Sequence, residues 1–360
     1  MSLMILGVGT SVPPCALPQE RAAELASLVS GHSPEQAERL AFLYGLTGIR
    51  RRHVAILDEG GAVPDIFALS NKGPTTAWRM ARYDVEAGSI ARRACLAALD
   101  ESGIDPATIT HLVTVSCTGF AAPGFDLRLF KELGLDPSAQ RTHVGFMGCH
   151  GALNGLRVAR AIVGSEPEAR VLLCAAELCS LHFTYGPGSE RSVSNALFAD
   201  GAAAIVATSG DSGTGADATW SVQANGSVLF PETEASMTWR VGDHGFEMTL
   251  APEVPKLIRA HLRPWLLSWL EKQGVALEDV GSWAVHPGGP KILDAVQVAL
   301  DLDKSALNDS RAILGEYGNM SSPTVLFILQ RLMRRNAPRP CVSLGFGPGL
   351  VVEAALLGAR

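Results

Sequence analysis

At 360 residues the chain exceeds what one small core holds, so two modules or one large body built from two halves is expected. Hydrophobic residues make up 47% and charged residues 18%, a composition that excludes a disordered chain. A formal net charge of −6 gives no global pull toward nucleic acid or anionic lipid, and the longest apolar runs break at Gly, Pro or charge before the roughly 20 residues of a membrane span.

Short apolar runs predict strands, and stretches with a 3.6-residue period predict helices. In chain order the reading is strand 4–8, helices 19–29, 34–44 and 85–102, strand 110–116, helix 126–133, strand 142–146, helix 150–163 and strand 170–176. It continues with strands 202–208 and 220–229, helix 255–271, strand 279–286, helices 290–300 and 322–334, and strands 341–346 and 350–357. This alternation is that of an α/β protein. A polar, Gly-rich stretch, 209–217, divides the chain into 1–209 and 210–360, and both parts finish with adjacent strands, the plan of two duplicated α/β halves.

The first 14 residues have an apolar stretch but no basic n-region and no clear cleavage site. The seven cysteines are scattered, odd in number and without a CxxC pair. A cytoplasmic chain of free thiols is expected, with neither a disulfide framework nor a zinc site.

Three segments carry candidate chemistry. Val144-Gly-Phe-Met-Gly-Cys-His-Gly sets Cys149 between a strand and a helix, beside glycines that permit a tight turn. A thiol with a pKa of about 8.5 is a few per cent ionised at neutral pH, and a helix N-terminus with a neighbouring imidazolium lowers that value. Cys149 is thus expected to be a thiolate nucleophile; the alternative is a small buried hydrophobe. In Val285-His-Pro-Gly-Gly-Pro-Lys, His286 emerges at the carboxyl end of a buried strand, where open α/β sheets hold their ligands; the alternative is a structural histidine. In Gly318-Asn-Met-Ser-Ser, Asn319 precedes a helix, and the alternative is that Asn319 or Ser321 caps it. Together Cys149, His286 and Asn319 supply a nucleophile, a proton handler and a neutral donor for an oxyanion. The glycines of Ser343-Leu-Gly-Phe-Gly-Pro-Gly open no helix, so a dinucleotide loop is not expected there, and Gly7-Val-Gly9 lacks a third glycine.

These segments resemble the type III polyketide synthases, the chalcone synthase-like branch of the thiolase-fold condensing enzymes, over nearly the whole chain. The motifs are Gly148-Cys149, His286-Pro-Gly-Gly-Pro, Gly318-Asn-Met-Ser-Ser, Gly345-Phe-Gly-Pro-Gly and Asn195-Ala-Leu-Phe-Ala-Asp-Gly. The resemblance implies a thiolase-like fold, two duplicated halves in a layered αβαβα arrangement, and a homodimer. It implies that Cys149 takes an acyl group from a starter thioester. His286 and Asn319 would hold the malonyl-CoA thioester carbonyl as carbon dioxide leaves, and His286 would also keep Cys149 ionised. Substrates would be acyl-CoA and malonyl-CoA, with no other cofactor and no metal.

By the same resemblance Phe198 is the gatekeeping phenylalanine, and Met248 stands where its usual partner aromatic would be. Cys117, Cys179, His182, Trp239 and Ser321 fall where relatives shape the elongation pocket, with core packing as the alternative. The stretch around Trp239 looks more like bacterial alkylpyrone and alkylresorcinol synthases, which implies a fatty acyl starter; Trp239 can equally shrink the pocket. Arg39 and Lys291 match or neighbour CoA-contact positions, and Arg50, Arg51 and Arg52 form a basic cluster that reads as CoA-facing or as a solvated face. Ala122 replaces the methionine that reaches into the partner's cavity in many relatives. An acyl carrier protein as starter donor, in the manner of a ketoacyl synthase, stays open. The rival readings are a cysteine hydrolase or thioesterase, since Cys, His and Asn occur in that order in papain-like enzymes, and a non-catalytic thiolase-fold subunit.

Overall fold

Along the strand Arg170–Leu178, Val171, Leu173 and Ala175 face one core while Leu172, Cys174 and Ala176 face another, so both sides of the sheet are covered. The same period-two division recurs near the C-terminus, where Ala355 and Leu357 share the first core and Val352, Ala354 and Leu356 join a third. Two-faced burial of this kind forces a layered architecture.

The computed structural model describes residues 2–57, 72–185, 189–210 and 220–358. Its strands are β1 (Leu3–Ser11), β2 (Ala16–Pro18), β3 (Arg51–His53), β4 (His111–Ser116), β5 (Gln140–Gly145), β6 (Arg170–Leu178), β7 (Asp200–Ser209), β8 (Ser221–Leu229), β9 (Met237–Gly242), β10 (Gly245–Leu250), β11 (Ser282–Val285), β12 (Cys341–Gly347) and β13 (Val351–Gly358). Its helices are α1 (Gln19–Val29), α2 (Pro34–Gly45), α3 (Thr76–Ser102), α4 (Phe125–Leu133), α5 (Gly151–Ser165), α6 (Ser189–Leu197), α7 (Val254–Glu271), α8 (Pro290–Leu300), α9 (Asn308–Tyr317) and α10 (Thr324–Arg334).

Nine strands form one mixed sheet in the order β11-β12-β13-β8-β1-β7-β6-β4-β5. The two halves of that order come from opposite halves of the chain and meet at a short antiparallel pairing, Leu3 with Val222 and Met4 with Ser221. Apolar faces of α5 and α10 share a single core with strands from both halves, which makes them the middle layer. α3 and α4 cover β4 and β6 on the outside, and α7 and α8 cover β11 to β13. The result is the expected αβαβα stacking.

Several elements escaped the sequence reading. α3 begins at Thr76, well before residue 85, capped by Thr75, whose side chain accepts from the Trp78 N–H. The charged residues of its first turns, including the fully buried Arg79, hide the helical period. The hairpin β9–β10 and the pair β2–β3 are short and half-exposed, so they carry little hydrophobic signal. The strand expected at 279–286 is shorter, Ser282–Val285, preceded by a 3₁₀ turn. Positions 211–217 of the Gly-rich boundary stretch lie outside the described residues.

Candidate active site

β5 ends at Gly145, and the chain turns through Phe146 (φ 57°) and Gly148 (φ 77°) into a 3₁₀ turn, Gly148–His150, that leads into α5. A side chain at Gly148 would put its Cβ 2.3 Å from Pro348 Cδ, so both conformation and space require glycine there. Gly345 and Gly347 lie against the other side of the turn, where added Cβ atoms would come within 2.9 Å of His150 Cβ and 2.4 Å of its ring. The Gly-Phe-Gly-Pro-Gly segment is therefore the bed on which the cysteine turn rests.

Cys149 at the centre of that turn is 7% exposed, and Ser321 Oγ donates to its sulfur at 3.5 Å. Burial pushes the thiol up to about 11, while hydrogen bonds from Ser321 and the Asn319 amide pull the other way. His286 follows β11 directly and is held by its backbone N–H on the Leu344 carbonyl at 2.8 Å. Its ring is fully buried, and neither ring nitrogen has a partner among the described residues. Burial, aided by the nearby His150, pushes the imidazole down to about 3. Burial thus favours the neutral form of each group, against the standing thiolate–imidazolium pair expected from the sequence. A helix N-terminus contributes roughly 0.3–1 kcal/mol, up to about 2 when partly buried, whereas full desolvation moves a pKa by several units.

Asn319 is placed by α9 and Gly318, whose φ is 76°. Its Oδ1 accepts the Ser321 N–H at 2.8 Å, and its Nδ2 makes a long contact with the Gly288 carbonyl at 3.4 Å, in the loop that follows His286. The Asn319 side chain therefore touches both the thiol and the loop that follows His286, which ties three separate elements together.

Behind the thiol lies a group the sequence reading missed. Glu177, fully buried near the end of β6, accepts from the Cys117 N–H, the Cys117 thiol, Thr118 Oγ1 (2.6 Å) and Ser322 Oγ (2.7 Å). Burial raises its carboxyl above the usual range, and its charge in turn helps to raise the Cys117, Cys149 and Cys179 thiols. An acid inside the apolar run of 170–178 was the available signal, since a charge buried there needs several donors. Ser321 links the groups, 3.5 Å from both cysteine sulfurs, with its backbone at φ 57°.

A cavity opens from Cys149. Phe198, Met248, Cys117, Cys179, His182, Trp239 and Ser321 all line it, whereas His286 and Asn319 do not. Trp239 and Met248 are paired across the β9–β10 hairpin. Trp239 Nε1 donates to the Cys117 carbonyl at 2.7 Å, and its ring stands edge-on to His182 and Phe246. His182 donates from Nε2 to the Thr118 carbonyl and accepts the Phe246 N–H at Nδ1. Arg39 and Lys291 are exposed and do not line the cavity, nor does Ala122. The basic cluster divides: Arg50 and Arg51 are exposed, but Arg52 is 4% exposed and lines the cavity, so the solvated-face reading fails for it.

Residues 2–211 match the chalcone and stilbene synthase N-terminal domain, and residues 221–359 match the C-terminal domain. The chain belongs to the chalcone and stilbene synthase family. It is similar to the 1,3,6,8-tetrahydroxynaphthalene synthase of Streptomyces peucetius subsp. caesius, 35% identical across 98% of this chain and 92% of the relative. It also resembles type III polyketide synthase 21 of Oryza sativa subsp. japonica, 32% identical across 98% and 93% of the two chains. The crystal structure of PKS-I from the brown alga Ectocarpus siliculosus superposes with a TM-score of 0.95 at 30% identity, covering 100% of this chain and 98% of the other. This chain of the chalcone and stilbene synthase family is accordingly a type III polyketide synthase, an acyltransferase of the condensing kind. Among the described residues no helix is long and apolar enough to cross a membrane.

Proposed function

We propose that this polyketide synthase loads an acyl group from a CoA thioester onto Cys149 and extends it by decarboxylative condensation with malonyl-CoA. One observation carries the reading: the Cys149 thiol lines the cavity with the Asn319 amide against it, and that amide also reaches the loop that follows a fully buried His286 with two unpartnered ring nitrogens. Buried nitrogens without partners are costly unless an incoming group satisfies them.

In the first step the thiol passes its proton to the neutral His286 as sulfur attacks the starter carbonyl, and that proton leaves with the CoA thiol. In the second, malonyl-CoA expels carbon dioxide and its electron pair moves to an enolate. Asn319 Nδ2–H and one His286 N–H donate to the enolate oxygen, a charge that exists only as the reaction proceeds. The enolate carbon then attacks the Cys149 thioester and releases the cysteine sulfur. The balance of charges calls on no cofactor beyond the two thioesters. Seven free, buried cysteines suit a reducing compartment and support a cytoplasmic location.

The apolar cavity supports a fatty acyl starter and an alkylpyrone or alkylresorcinol product. A second reading, tetrahydroxynaphthalene formation, is favoured by the relative that makes it. The exposed edge strand β5, with Phe120, Phe146 and Met147 exposed close by, supports a homodimer seam. Arg39 and Lys291 are proposed as CoA contacts.

Intact-mass analysis after incubation with acyl-CoA, or with an acyl carrier protein thioester, tests the reading. An adduct on Cys149 that Cys149→Ala lacks is expected, followed by carbon dioxide release from malonyl-CoA. No adduct with any donor would favour a non-catalytic subunit, and hydrolysis without carbon dioxide release a thioesterase.

A further inference from the structure

One side of the cavity is built by elements that carry none of the three reacting groups: Leu17, Ala22, Leu25 and Val29 line it together with Tyr44 and Arg52. All but Arg52 present carbon or an aromatic ring. Arg52 Nε donates to Gln19 Oε1 at 3.1 Å, and Nη1 to the carbonyls of Asn195 (2.6 Å) and Phe198 (2.7 Å). The guanidinium lies 5.2 Å from the centroid of the Tyr44 ring. Every one of these partners is neutral. Among the described residues Nη2 has no acceptor and Arg52 forms no ion pair, and the Tyr44 hydroxyl is the further neutral group that acts on the guanidinium. The Asp200 carboxylate acts on it through space while accepting its own hydrogen bonds from Ser180 and the Ala55 N–H.

A buried cation surrounded by neutral acceptors, with one N–H left over, is an incomplete site. The group that completes it best is a carboxylate, because a charge-assisted bond to guanidinium is shorter and about twice as strong as a neutral one. Cys149 lines the same cavity, so an acyl chain on its sulfur has access to this wall.

We propose that Arg52 is a specificity-determining residue that pairs with a carboxylate at the far end of the acyl chain held on Cys149, making dicarboxylic monothioesters of CoA the preferred starters. This deepens, and rests on, the polyketide synthase reading above, and it narrows the fatty acyl starter to one whose far end carries a carboxylate. No bond is made or broken at Arg52; it orients the chain.

The test compares dicarboxylic mono-CoA thioesters of increasing length with the methyl-terminated acyl-CoA of equal length, following Cys149 acylation by intact mass. At the length that spans the cavity, the carboxylated starter is expected to load with kcat/KM about tenfold higher or more. Equal loading at every length overturns the proposal while leaving the polyketide reading intact; no adduct with any starter overturns that reading instead. Arg52→Gln should bring the carboxylate-to-methyl ratio toward one, and Arg52→Lys should retain part of it. An unchanged ratio in folded Arg52→Gln also overturns the assignment, and the wild-type series decides alone if the variant does not fold.

Discussion

Phe198 and Asn319 are joined backbone to backbone. Ala199 N–H donates to the Asn319 carbonyl at 2.8 Å and Asn319 N–H to the Leu197 carbonyl at 2.9 Å, a parallel bridge that couples a residue lining the cavity to the amide beside the thiol. The bridge depends on Gly318, where φ is 76° and an added Cβ would lie 2.9 Å from Ala199 Cβ.

Gly318→Ala is therefore expected to shift Asn319 and slow malonyl decarboxylation while Cys149 still acylates. Asn319→Ala removes the donor outright and should cost about 10²- to 10³-fold in decarboxylation. Measuring acyl adduct and carbon dioxide separately decides the matter. Equal loss in both steps would mean that Asn319 does not act on the enolate.

Burial pushes the Cys149 thiol up to about 11 and the His286 imidazole down to about 3, which favours the neutral form of both through the physiological range. Below its pKa a thiol gains roughly tenfold in thiolate per pH unit, so alkylation by iodoacetamide should climb steadily from about pH 6 to about pH 10. A rate plateau beginning near neutrality would instead reveal a standing thiolate–imidazolium pair. Glu177→Gln removes a charge that helps to raise the thiol, so alkylation at any one pH should quicken.

Trp239 and Met248 form one wall of the cavity from a half-exposed hairpin. Trp239→Ala frees space beside Cys117 and gives up the bond to its carbonyl, so products with more malonyl units are expected, with a stability loss of up to about 3 kcal/mol. Met248→Phe enlarges a side chain that lines the cavity and should alter starter preference more than acylation chemistry. Product masses across a starter panel check both, and an unchanged profile would remove the hairpin from product control.

His182 is neutral in a fixed tautomer, and burial pushes its pKa down to about 3. The unfolded chain titrates near 6.5, so below that pH the unfolded state binds the extra proton. The contribution of His182 is intact above roughly pH 6.5 and is lost as pH falls toward 3, amounting to about 2 kcal/mol at about pH 5. Thermal unfolding of wild type and His182→Gln between neutral and mildly acid pH should show a shallower decline in the variant. Parallel declines would contradict a buried neutral ring.

Cys149, His286 and Asn319 were legible in the chain because each stands beside glycines at a strand or helix end, where backbone breaks and reactive side chains coincide. The layered fold was legible too, since period-two burial along β4, β6 and β12 writes itself as apolar runs. Residue type and local period determine those features, and both are properties of neighbours in sequence. Arg52 was not legible: in a run of three arginines, strand alternation alone turns Arg51 outward and Arg52 inward, and what waits inside comes from α1, α2 and α6. Nor was the way burial favours the neutral forms of Cys149 and His286, or the reach of Glu177. Those depend on how completely distant segments exclude water from one point, and only the packed chain decides that.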